Sequence, residues 1–351
     1  MQGTNYKIIF FFLLIQFVSS CSKSAKEDST QLDNYYFVKI DDIALPVRVC
    51  GNINSDVAVV FVHGGPGSSA QVERANIYWK EIEKRYKVIY YDQRGSGATQ
   101  GKVEEKDMTI EKFSDDLNVM VDFAKQITKV DKVFIHGASW GGALATYYLT
   151  DTAHQNKLRG AIIESPAYDL VNGTQLSKQW VMPKADSFIM HGTNIEKQYW
   201  TNCKNYYAAN PTITPAVFKQ HQVYVTQLKG IIFNTINIQS RSVSIPKSEI
   251  ALAYNNADFA ISTMKYEGQS IFTHLDLTSK LNQIQLPVFL AWGALDGLLP
   301  KNNLAQKFVT NIGSVDLKYE TNKYLLSANS PHTEEWQQFD IDAVSFIEAH
   351  R

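Results

Sequence analysis

Lys132-Val133-Phe134-Ile135-His136-Gly137-Ala138-Ser139-Trp140-Gly141-Gly142-Ala143-Leu144-Ala145-Thr146-Tyr147-Tyr148-Leu149 is the stretch whose reading decides the fold. Lys132 to His136 is a short β-rich run, and Ala143 to Leu149 continues as a helix. Between them stands G-x-S-x-G. The glycines let a strand turn abruptly into a helix, because the two elements approach so closely there that a Cβ on Gly137 or Gly141 would clash. Such a turn carries Ser139 at its tip, above the C-terminal edge of a sheet, and this placement favours a nucleophile over an idle serine in a tight turn.

The same alternation of strand and helix runs outward in both directions. Upstream, residues 35–40 and 45–49 read as a hairpin, and 57–62 is a continuous apolar run suited to a buried parallel strand. A helix is expected over 72–84, a strand over 87–91 and a long amphipathic helix over 109–127. In that helix Thr109 caps the start, while Ile110, Phe113, Leu117, Met120, Val121 and Phe123 recur at helical spacing. Downstream, 160–163 is a strand. Strands resume at 287–292 and 315–319, and a helix closes the chain from 334 to 350. Between Pro166 and Leu281 the character changes to helical and rich in Asn, Gln, Tyr and Trp. The expected organisation is therefore α/β: a core over 35–165 and 282–351, mostly parallel in its sheet and flanked by helices, with a helical lid inserted over 166–281.

A serine hydroxyl is a weak nucleophile near neutral pH and needs a histidine to take its proton and a carboxylate to fix that histidine. With the nucleophile on a G-x-S-x-G turn, the chain order is Ser, then Asp or Glu, then His, each on a loop after a strand. Asp296 meets this condition, since it follows the 288–292 strand through Gly293-Ala294-Leu295. Asp92 and Asp115 come too early, and Asp316 falls inside an expected strand. Among the eight histidines, His332 alone follows Asp296 on a loop between a strand and a helix. His63 and His136 each precede a glycine at the end of a buried strand and read as structural. Two backbone N–H groups are needed for the developing oxyanion, one from Trp140 and one from His63-Gly64-Gly65-Pro66-Gly67, where Gly65 is the expected donor. That loop lacks the Gly-Lys-Ser/Thr of a phosphate loop.

Taken together, His63-Gly64-Gly65-Pro66-Gly67, Asp92-Gln93-Arg94-Gly95-Ser96-Gly97 and Gly137-Ala138-Ser139-Trp140-Gly141-Gly142 resemble the prolyl aminopeptidase (proline iminopeptidase) family of the α/β-hydrolase superfamily. The resemblance covers 35–163 and 286–351. It implies an α/β-hydrolase fold and release of N-terminal residues, often proline, from small peptides, with Asp92 and Arg94 as loop-bracing residues. In that family acidic lid residues, often near a Trp-Glu pair, bind the free α-amino group of the substrate. This chain has no Trp-Glu pair, since Thr201 follows Trp200. Glu164, Glu196 and Glu267 are the substitutes, and Glu164 is preferred because it ends a strand beside the expected site.

Composition narrows the alternatives. The 351 residues are 44% hydrophobic and 20% charged with a formal net charge of -1, so disorder and nucleic-acid binding are both disfavoured. At the N-terminus Lys7 precedes an apolar run from Ile8 to Val18, too short to span a bilayer. Val18-Ser19-Ser20-Cys21 resembles the bacterial lipobox, in which the cysteine carries the lipid after cleavage. Residues 1–20 are thus expected to be a lipoprotein signal peptide, and 21–34 a polar tether holding the enzyme to a bacterial membrane through Cys21. Cys50 and Cys203 remain and are expected to be free buried thiols. No paired Cys or His spacing suggests a metal, and the serine chemistry requires no cofactor. Besides the peptidase reading, an esterase or amidase acting on small hydrophobic acyl compounds shares the same triad, and a non-catalytic envelope binding protein is the rival from another class.

Overall fold

The computed structural model describes residues 30–76, 80–235, 257–320, 323–324 and 333–351. Strands β1 (Gln31–Ile40), β2 (Ile43–Asn52), β3 (Val57–Val62), β4 (Lys87–Tyr91), β5 (Lys132–Ala138), β6 (Gly160–Glu164), β7 (Val288–Ala291) and β8 (Leu317–Glu320) form one sheet. Their order is β1-β2-β4-β3-β5-β6-β7-β8. The β1-β2 and β2-β4 pairs are antiparallel and the remaining pairs are parallel. Every residue of β3, β4 and β6 is buried, which explains why they are apolar except for Lys87 and Glu164 at strand ends.

Helices cover both faces. Helix α3 (Ile110–Thr128), which follows α1 (Ala70–Asn76) and α2 (Lys80–Arg85), turns Ile110, Phe113, Leu117, Met120 and Val121 onto one side of the sheet. Phe123 is partly buried and meets Tyr36 edge-on, with ring centroids 5.6 Å apart. Thr109 caps α3 by accepting the Lys112 N–H, as its sequence position suggests. On the opposite side, Phe339, Ala343, Phe346 and Ile347 of the C-terminal helix, Thr333–His350, pack on Phe134, Ile162 and Phe289.

Three lid helices follow α4 (Trp140–Tyr148): α5 (Leu170–His191), α6 (Asn194–Ala209) and α7 (Pro215–Thr235). They own a separate core of Val181, Trp200, Cys203, Tyr207, Tyr224, Val225 and Leu228. The lid is therefore a second packing unit carried by the sheet. Cys50 and Cys203 are both free and buried, and burial pushes each thiol up to about 12.

Several sequence boundaries shift. The tether expected over 21–34 gives way at Gln31, because residues 31–34 already pair with β2 in β1, with Gln31 opposite Asn52. This end of the strand is hidden from sequence reading because it is an exposed edge with little apolar content. Its charge is matched across the strands, since Arg48 donates to both oxygens of Asp33 at 2.6 and 2.8 Å. The helix expected over 72–84 is described as α1 and α2, and β8 starts after Asp316 rather than before it. Residues 1–29, including the lipidation candidate Cys21, lie outside the described residues. Among the described residues no helix is long and apolar enough to cross a membrane.

Candidate active site

Between β5 and α4 the chain makes the sharp turn that its glycines predict. Ser139 stands there at φ 54° and ψ -120°, a conformation that L side chains rarely adopt. A Cβ on Gly137 would lie 2.3 Å from the Gly141 carbonyl oxygen, and one on Gly141 would lie 2.0 Å from that of Val62. Close approach of backbone to backbone is thus what demands both glycines. The turn is pinned by Ser139 N–H donating to the Glu164 carbonyl and by the Ser139 carbonyl accepting from Ala143 and Ala167, each at 3.0 Å.

The 63–67 loop lies against this turn. Gly64 faces Ser139, as a Cβ on it would lie 3.7 Å from Ser139 Cβ and 3.3 Å from Glu73 Oε1. Glu73 holds the loop by accepting the Gly64 N–H on both carboxylate oxygens, at 2.9 and 3.1 Å. Burial pushes its carboxyl up to about 7. Gly65 adopts φ +122°, where a Cβ would meet the Gly67 and Ser68 nitrogens at 2.7 and 2.8 Å.

A buried polar network ties this loop to the 92–97 segment and to Trp140. The Gln93 backbone N–H donates to His63 Nε2 at 3.0 Å, which leaves the ring proton on Nδ1 to be donated to the Gly64 carbonyl at 2.8 Å. Gln93 Nε2 donates to the His63 carbonyl, and its Oε1 accepts the Trp140 indole N–H at 2.9 Å. Burial drives His63 down to about 4, so it is a neutral structural ring. Asp92 accepts the Ala70 and Ala98 N–H groups, and Arg94 grips Asp116 through two 2.7 Å bonds with both side chains buried. Asp92 and Arg94 brace loops, as the resemblance implies.

Asp296 follows β7 on a turn in which its Oδ1 accepts the N–H groups of Leu298 and Leu299 at 2.9 and 3.0 Å. Its Oδ2 accepts from none of the described residues. Ser139 and Asp296, distant in sequence, line one cavity of about 70 Å³ together with Glu164, Ser165, Lys229, Leu298 and Leu299. His332 lies outside the described residues. The rival Asp316 precedes β8 at the opposite edge of the parallel strands and pairs with His350 at 3.0 Å.

Glu164 ends β6 in register with Ala138, buried, with Oε2 3.5 Å from His136 Nε2. His136 stacks on Phe61, and burial drives it down to about 3, in keeping with a structural ring. The other acidic candidates are occupied elsewhere. Glu196 is half-buried and completes the capping box at the start of α6. Glu267 is exposed and pairs with Lys280 at 3.5 Å.

Two features have no sequence signal. The first is Lys229, which α7 brings into the cavity wall with Nζ 4.0 Å from Asp296 Oδ1. The second is a buried relay from the lid to the acid turn. Ser177 of α5 donates its hydroxyl to the Gly297 carbonyl, so His221 of α7 must present Nε2–H to Ser177 Oγ at 2.6 Å. Nδ1 of the same ring then accepts the Tyr207 hydroxyl of α6, also at 2.6 Å. Burial holds His221 at about 4 and raises Tyr207, so both keep the protonation that this direction needs. Trp180 of α5 covers the same turn so closely that a Cβ on Gly297 would lie 2.6 Å from its ring.

This geometry offers a hydroxyl on a strained turn, an oriented carboxylate nearby and backbone donors braced against the core. The family of the alpha/beta hydrolase fold matches residues 57–308. The chain belongs to that family. It is similar to the proline iminopeptidase of Thermoplasma volcanium, 35% identical over 127 residues, which are 36% of this chain and 40% of that protein. It is 24% identical to the proline iminopeptidase of Saccharolobus solfataricus over 332 residues, 88% of this chain and 93% of that one. Matches to the first three curated relatives span only 29 to 40% of their lengths. Among solved structures, the proline iminopeptidase of Mycobacterium smegmatis superposes with a TM-score of 0.62 at 16% identity, covering 90% of this chain and 98% of the other. At that identity the likeness speaks for the fold.

Proposed function

We propose that the protein is a serine hydrolase that releases N-terminal, proline-type residues from small peptides. The observation that carries this reading is Ser139 on its strained turn, sharing one cavity with Asp296 and Glu164. In the mechanism Ser139 Oγ attacks the scissile carbonyl while His332 takes its proton, oriented by Asp296. The N–H groups of Gly65 and Trp140 receive the oxyanion. The tetrahedral intermediate collapses as His332 gives the proton to the leaving amine, and water then releases the acyl group from Ser139. Glu164 is assigned to the substrate's α-amino group, supported by its place in the cavity wall. The proteins named proline iminopeptidase among its relatives support the substrate class.

A fluorophosphonate probe tests the nucleophile: the wild type is expected to be labelled and Ser139→Ala not, and equal labelling of both would refute the assignment. Proline-aminoacyl chromogenic amides set against short-chain esters test the substrate class, where turnover of esters alone defeats the peptidase reading. We further propose that Cys21 carries a lipid that holds the enzyme in a bacterial envelope. Cys21→Ser should then shift it from the membrane to the soluble fraction, and unchanged partition would reject the anchor.

A further inference from the structure

Lys229 is the cation that the lid contributes to the wall shared by Ser139 and Asp296. Its ammonium sits 4.0 Å from Asp296 Oδ1, beyond hydrogen-bond reach, and that oxygen already takes two backbone N–H groups. Among the described residues Lys229 donates no hydrogen bond, although its side chain is only 28% exposed. The N–H donors of this half-buried side chain thus meet no acceptor among the described residues, and they belong to the wall where a ligand would face Ser139.

The position of this charge relative to the chemistry selects the ligand. A base serving Ser139 and oriented by Asp296 must lie between them, and it hands its proton to the leaving group. The leaving group therefore sits on the Asp296 side of the nucleophile, beside Lys229. An ammonium in that place favours an anionic substituent on the leaving group. In a peptide this is the C-terminal carboxylate of the residue directly after the scissile bond, because each further residue carries it about 3.5 Å away.

We infer that Lys229 reads the free carboxylate of a leaving amino acid, so that the substrates are dipeptides rather than longer peptides. This rests on the serine-hydrolase reading and adds to it a recognition element on the leaving-group side. Glu164 and Lys229 then take the two charged ends of one short zwitterion, each by a charge-assisted hydrogen bond.

The test compares prolyl-alanine with prolyl-alaninamide, identical except for the charge of the C-terminal group, by kcat/KM. The wild type is expected to prefer the free acid by about ten- to a hundredfold, carried mainly by KM. Lys229→Met should bring the ratio of the two substrates close to one, and Lys229→Arg should keep most of it. A wild-type ratio near one overturns the inference without reference to any variant. So does a preference that persists in Lys229→Met, or an equal loss on both substrates, which would mean that Lys229 acts through Asp296. Absence of fluorophosphonate labelling at Ser139 instead sinks the underlying hydrolase reading, whereas a labelled enzyme with no acid-over-amide preference sinks the Lys229 assignment alone.

Discussion

Ser139 and Asp296 face the same cavity, but they are held by different kinds of structure. Around Ser139 the bracing is made of the sheet domain itself: His63, Gln93 and Trp140 exchange buried hydrogen bonds, and Arg94 locks onto Asp116 beneath them. Around Asp296 the bracing comes from the inserted lid, through Tyr207, His221 and Ser177 to the Gly297 carbonyl and through the Trp180 ring. Ser139 thus shares the fate of the main core. Asp296 shares the fate of a smaller helical unit with a core of its own. For the proposed catalytic pair, seating on different packing units would let the lid shift Asp296 without loosening Ser139.

If this contrast holds, the largest stability loss should come from the sheet side. Arg94→Met leaves the Asp116 carboxylate buried without its cation, at an expected cost of about 3–5 kcal/mol by denaturant unfolding. A cost no larger than that of a lid-relay variant would break the comparison. Next in size is an acid effect that both sides share. His63 and His221 are held neutral in the folded state at about 4, against an ordinary value of 6.5. Protons therefore bind the unfolded chain first, so the stability that depends on these two rings is intact above about pH 6.5, falls as pH drops toward 4 and then levels, while His136 extends the fall to lower pH and Glu73 opposes it. Each ring accounts for about 3 kcal/mol of that fall. His221→Asn should make the fall shallower by about 3 kcal/mol, and an unaltered fall would show that His221 does not titrate as placed.

The lid relay should be felt more in activity than in stability. His221→Phe is expected to lower kcat by roughly tenfold while costing about 1–3 kcal/mol in unfolding. A KM effect with kcat preserved would instead make the relay a matter of substrate entry. The smallest effect is expected for Ser177→Ala, at about 1 kcal/mol. Combined with His221→Phe, its cost should be much less than additive, since both break one chain; full additivity would show the bonds to be independent.

Legibility in the sequence follows the same division. The Ser139 turn, the 63–67 loop and the 92–97 loop can be read because their constraints are local: backbone must approach backbone, so glycines appear at fixed offsets from a strand end. Asp296 can be found by chain order and turn position. Its neighbour Gly297 looks like a turn residue, yet the contact that requires it is the ring of Trp180, contributed by a helix more than a hundred positions earlier. Glu73 gave no signal either, since a glutamate on a short helix is ordinary until its carboxylate is seen to hold the Gly64 N–H. Residues 31–34 are misread as tether because an exposed edge strand needs no apolar pattern to pair.

From sequence alone come the α/β order of elements, the strained seat of Ser139, the candidacy of Asp296 and the separate character of residues 166–281. These depend on periodicity, on turns and on order along the chain, which are properties of neighbours. Tertiary structure alone decides which lid side chains reach the site: Lys229 beside Asp296, and Ser177 with His221 beneath the acid turn. The crossing of α5, α6 and α7 over the sheet sets those contacts. A lysine or histidine on a helix carries no mark of what the opposite surface will present to it.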